Sequence, residues 1–88
     1  MKIKEGFLLR EIAGTHIVVP IGERVIDFKG MMVLNSVSAD VWSFLSEHRT
    51  YDEILEYILE MYEVDRQTVE NDLNDLIGQM EANGVIEA

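Results

Sequence analysis

Cysteine is absent from this 88-residue chain, which excludes disulfides, thiolate metal sites and cysteine nucleophiles. Basic residues are scarce, seven against 17 acidic ones, for a formal charge of −10. Nucleic-acid binding draws most of its affinity from Lys and Arg on phosphates, so this chain would repel a polyanion. Anionic membranes are disfavoured for the same reason. No apolar run approaches the ~18 residues that span a bilayer, and no signal-peptide pattern opens the sequence, so a cytoplasmic location is expected. The glycines, at positions 6, 14, 22, 30, 78 and 84, are too scattered to cradle a phosphate.

What is present is globular in character, 48% hydrophobic and 27% charged. The length fits one domain, residues 1–88, with an adequate but not generous core. The acidic excess suits a protein or peptide partner of some basic character, or serves only to keep a small surface solvated.

Lys2–Glu5 is polar and expected to fray. Phe7–Ile12 and Thr15–Pro20 are rich in large apolar residues and flank Ala13-Gly14, which predicts a β-hairpin turning at Gly14. Pro20 cannot donate to a ladder and should end the second strand. Ile21–Arg24 reads as a loop, and Val25–Phe28 is ambiguous. Gly30 punctuates the chain before a third strand over Met31–Leu34. Asn35 and Ser36 can cap a helix. Ser38, Val41, Trp42 and Leu45 then recur at i, i+3, i+4 and i+7, the spacing of a helix with one buried face.

The second half is helical. Thr50 and Glu53 form a capping box, followed by an apolar stripe at Ile54, Leu55, Ile58 and Tyr62. Glu63-Val64-Asp65 interrupts this helix, and Asp65 is a good N-cap for the next. There Val69, Leu73, Leu76, Ile77 and Met80 keep the helical period, and Asn83-Gly84 supplies a stop. Val85 and Ile86 should pack back on the domain. The order β-β-β-α-α-α predicts an α+β fold, a three-stranded antiparallel sheet followed by a three-helix cluster, in outline a winged helix-turn-helix.

A catalytic constellation is not evident. His16 and His48 stand alone, outside any metal-binding spacing, and the carboxylates are spread along helix faces, where solvation is their ordinary role. Asp72 and Asp75 share a face of the third helix, with nothing beside them to complete a metal set. No EF-hand loop is present. An acyl carrier protein is excluded by serine context and by the β-rich first third. No enzymatic activity, cofactor or metal is therefore expected. Trp42, the sole tryptophan, is read as a core anchor. Gly78 inside the third helix costs about 1 kcal/mol relative to alanine, which suggests close approach of a neighbouring element.

The residues resemble the PQQ-biosynthesis protein D (PqqD) family. The resemblance rests on Leu34-Asn35, on Ser38-Ala39-x-Val41-Trp42-x-x-Leu45, and on Thr50-x-x-Glu53-Ile54. It continues through Tyr62-Glu63-Val64-Asp65 and Val69…Asp72-Leu73…Leu76 to Asn83-Gly84-Val85-Ile86, covering about Phe7 to Glu87. The segment Pro20–Lys29 departs from the pattern, being apolar-rich rather than a simple turn. The resemblance implies a non-catalytic recognition element for ribosomally made, post-translationally modified peptides. Such a domain captures the leader segment of a precursor and presents it to a modifying enzyme, often a radical-SAM maturase. In the family the leader adds as an antiparallel strand to the third strand, over a groove walled by the third helix.

An exposed strand edge offers unpaired N–H and C=O groups to an extended peptide, and alternate side chains select its sequence. The candidate peptide-binding residues are Gly30, Met31, Met32, Val33 and Leu34 on the strand. On the helix they are Val69, Asp72, Leu73, Asp75 and Leu76. The sequence leaves open which alternating set of the strand lines the groove. Met31 and Met32 bring adaptable thioethers to either face, and Asp72 and Asp75 would offer carboxylates to a basic leader residue. The alternative is a winged-helix-like protein-interaction or dimerisation module, monomer or homodimer, without a leader ligand. As a nucleic-acid binder it is disfavoured, because the third helix carries only Arg66 as a base against Glu70, Asp72, Asp75 and Glu81.

Overall fold

The computed structural model describes residues 1–22 and 32–87. The strands are β1 (Lys2–Ile3), β2 (Phe7–Ile12), β3 (Thr15–Pro20), β4 (Met32–Leu34) and β5 (Ile86–Glu87). Three helices, α1 (Ser36–Phe44), α2 (Tyr51–Met61) and α3 (Arg66–Ala82), lie between β4 and β5. β2, β3 and β4 form an antiparallel sheet in that order. The α+β fold, sheet first and helices after, is the one expected.

Leu9, Val18 and Met32 face one another across the sheet, as do Arg10, Ile17 and Val33 one residue along. Side chains alternate between the faces of a strand, so the first row meets the helices and the second meets solvent. Val18 has no exposure and Met32 only 4%, whereas Val33 is 58% exposed. The hairpin turns at Ala13-Gly14, both with positive φ (52° and 79°). That pair of signs belongs to the turn whose twist matches flanking strands.

The predicted caps are all made. Thr50 Oγ1 accepts from the Glu53 N–H at 3.1 Å, and the Glu53 carboxylate accepts from the Thr50 N–H at 2.9 Å. Asp65 accepts from the Thr68 N–H at 3.1 Å. The α2 stripe Ile54, Leu55 and Ile58 and the α3 stripe Val69, Leu73, Leu76, Ile77 and Met80 are buried against Val41, Trp42 and Leu45. No polar or charged residue is buried among the described ones. At the end of α1 the Phe44 and Tyr57 rings stack at 4.2 Å, and the Arg49 guanidinium lies 4.3 Å from the Phe44 centroid.

Two expectations are overturned. The segment expected to fray, Lys2–Glu5, contains β1, which pairs antiparallel with β5. The Ile3 N–H donates to the Leu45 carbonyl at 2.9 Å and the Lys4 N–H to the Val85 carbonyl at 2.8 Å. Composition suggested fraying, but Ile3 packs against the core, and its ladder partner Ile86 comes from the far end of the described chain. Gly78 is not a site of close approach, since a Cβ placed there would meet nothing within 4 Å. Val85 and Ile86 do pack back, both buried. The third strand was expected to begin at Met31; Gly30, Met31 and the ambiguous Val25–Phe28 lie outside the described residues.

Candidate functional site

The site is built where β4 passes into α1. β4 supplies an edge, since among the described residues it pairs with β3 alone. Asn35 ends the strand with extended backbone (φ −78°, ψ 176°) and caps α1, its Oδ1 accepting from the Ser38 N–H at 2.8 Å. A strand-to-helix transition of one residue holds the first turn of α1 beside the end of β4. An Asn at this position can satisfy an orphan helix N–H that water would otherwise take.

The opposite wall is α3. Asp72, Asp75, Leu76 and Gln79 fall on one stripe at i, i+3, i+4 and i+7, and with Val33, Leu34, Asn35 and Ser38 they line a groove. Leu76 is buried and forms apolar floor, while Asp72 and Asp75 are exposed at the rim. Among the described residues neither carboxylate makes an ion pair or hydrogen bond, whereas Arg66 is engaged by Glu56 and Glu70.

A cavity of about 100 Å³ lies between α1, α2 and α3. Val37, Val41, Ile58, Val69 and Leu73 form apolar walls, and Asn35, Ser38, Asp72 and Leu76 line both the cavity and the groove. Nearby the Tyr62 hydroxyl donates to the Asp40 carboxylate, joining the end of α2 to α1. That bond to an acceptor favours the neutral phenol and raises the Tyr62 pKa above its ordinary value.

The expected site residues separate into three groups. Val33, Asp72, Asp75 and Leu76 come together on the groove with Leu34. Met32 and Leu34 turn their side chains into the core, each 4% exposed, so at those positions the edge is backbone. Val69 and Leu73 line the cavity rather than the groove. Asn35, Ser38, Gln79, Val37 and Val64 also line these spaces and were not singled out as site residues. Ser38 did carry a signal, a polar residue on an otherwise apolar helical stripe.

His16 is half-buried with Nε2 3.9 Å from Glu11, and His48 is exposed with Nε2 3.5 Å from Glu87. Among the described residues no three His, Cys, Asp or Glu side chains are grouped to hold a metal ion. Among them, too, no helix is long and apolar enough to cross a membrane.

The fold is α+β, and among the described residues its sheet ends at β4, beside a groove walled by α3. The family model for coenzyme PQQ synthesis protein D (PqqD) matches residues 15–86, and the chain belongs to that family. A solved structure described as TbiB1 in complex with the TbiA(beta) leader peptide is similar, with a TM-score of 0.75 and 27% sequence identity. The similarity covers 100% of this chain and 96% of that one. No curated protein matches the chain.

Proposed function

We propose that this domain captures the leader segment of a ribosomally made precursor peptide and presents it to a modifying enzyme, of the radical-SAM class. The leader adds antiparallel to the outer edge of β4, in the groove between β4 and α3. The observation that carries this reading is the edge of β4 itself, which among the described residues faces a groove instead of a neighbouring strand. Its unpaired N–H and C=O groups give affinity with little demand on sequence. Membership of the PqqD family and the leader peptide bound by the similar TbiB1 support it. The short strand limits how much backbone pairing is available, so side-chain contacts with α3 supply the remainder.

The role is one of binding rather than catalysis. The site residues argued for are the backbone of Met32–Leu34, with Val33, Asp72, Asp75 and Leu76 around it, and Val69 and Leu73 behind. The test is a titration of isotope-labelled protein with the leader peptide encoded beside this gene. Shifts concentrated at Met32–Leu34 and Glu70–Gln79 are expected, and shifts mapping elsewhere would sink the proposal. Co-purification with the neighbouring maturase, lost when the leader is omitted, checks the presentation step.

A further inference from the structure

The helices pack on one face of the β2-β3-β4 sheet, and leader capture at the β4 edge leaves the other face unused. On that outer face the ladder sets Leu8 beside Val19, and Arg10 beside Ile17 and Val33. Ile12 and Thr15 close the face at the hairpin end. None of its apolar side chains belongs to the core cluster of the described residues, and Leu8, Ile12 and Val33 are exposed. An apolar patch that crosses a whole sheet marks an interaction surface.

The one charge on the face selects its occupant. Arg10 lies in the middle row, and among the described residues it makes no ion pair or hydrogen bond. No outward-facing residue of the three strands is acidic. A two-fold dimer uses the same patch on both copies, so a second copy would bring another Arg10 and no acid to meet it. An anionic membrane is repelled by the net charge of −10. The occupant that fits is a different protein, whose apolar surface presents an Asp or Glu to Arg10.

Val33 joins this face to the leader edge. Residues opposite one another on an antiparallel ladder point to the same side. A leader added to β4 therefore sets one side chain on the outer face beside Val33, and widens the face by one strand spacing, about 4.8 Å. Resting on the leader-binding reading, we infer that the outer face of the sheet docks the peptide-modifying enzyme, and that a bound leader completes the docking surface. The enzyme packs on Leu8, Ile12 and Val33, pairs a carboxylate with Arg10, and touches the outward side of the leader. It binds the loaded domain more tightly than the empty one, and by linkage tightens the leader by the same factor. The two partners do not compete, because the groove lies on the helix side of the sheet.

The test uses the full chain with the modifying enzyme and the leader peptide encoded beside this gene, read by biolayer interferometry. Saturating leader is expected to tighten enzyme binding about fivefold. The double variant Leu8→Thr, Ile12→Thr lies on β2, across β3 from the leader edge. It should weaken the enzyme about tenfold, with leader affinity measured without enzyme staying within about twofold and circular dichroism confirming the fold. Arg10→Glu should weaken the enzyme about fivefold in 50 mM salt and less in 500 mM. An enzyme that binds these variants as tightly as the parent, binds loaded and empty domain alike, or binds neither, overturns this inference and leaves the leader-binding reading standing. So does sedimentation that shows a dimer dispersed by the double variant, which gives the face to a second copy. Leader shifts that avoid Met32–Leu34 overturn the leader-binding reading and the coupling with it.

Discussion

The Asn35 side chain accepts from the Ser38 backbone N–H at 2.8 Å, and both residues line the groove. One hydrogen bond therefore ends β4, starts α1 and sets one wall of the candidate site. Asn35→Ala should cost about 1 kcal/mol of stability, read by urea denaturation, while Asn35→Asp, which keeps an acceptor, should stay close to the parent. Peptide affinity should fall with the alanine variant at temperatures where the fold is intact, because the α1 side of the groove loosens.

Met32 and Val33 are neighbours in β4 with opposite fates, 4% and 58% exposed. Met32→Ala should lower stability by about 2–5 kcal/mol, the range for a buried methionine, and Val33→Ala by less than about 1 kcal/mol. Equal losses in the two variants would mean that the register His16–Leu34, Ile17–Val33, Val18–Met32 is shifted.

Gly78→Ala is expected to stabilise the protein. The position is helical, and an added Cβ meets nothing within 4 Å, so the helix-propensity difference of up to about 1 kcal/mol is realised without a steric offset. Thermal denaturation would show it as a rise of several degrees for a domain of this size.

The Thr50–Glu53 capping box has a pH signature. Hydrogen bonding from the Thr50 backbone N–H holds the Glu53 carboxyl below its ordinary pKa, so the folded state favours the ionised form. Its contribution is present above the unfolded-state pKa near 4.3 and is lost as pH falls through the lowered native value. Stability measured from pH 6 to pH 3 should fall less steeply in Glu53→Gln than in the parent, and a parallel fall in both would remove Glu53 from the acid response.

Much of the fold was legible in the chain because its signals are local. Capping residues at Asn35, Thr50 and Asp65 announce helix starts, and the apolar periods of α1, α2 and α3 announce which face is buried. The site was legible in part. Asp72, Asp75 and Leu76 are one stripe by helical period alone, but Ser38 and Gln79 are polar residues whose meaning depends on what stands opposite. The pairing of Lys2–Ile3 with Ile86–Glu87 was not legible, since a two-residue strand has no periodicity to read and its partner lies at the far end of the chain.

By itself the sequence determined that this is an acidic α+β chain with a helix-capped second half, no thiol chemistry and the pattern of the PqqD family. The reason is that capping, turn chemistry and periodicity act over a few residues. Only the tertiary structure decided that Met32 and Leu34 face inward and Val33 outward, because alternation permits either sense until helices cover one side of the sheet. It alone also showed Asp72 and Asp75 lining one groove with Val33 and Leu34, beside an apolar cavity, a juxtaposition of segments about 40 residues apart that no local pattern encodes.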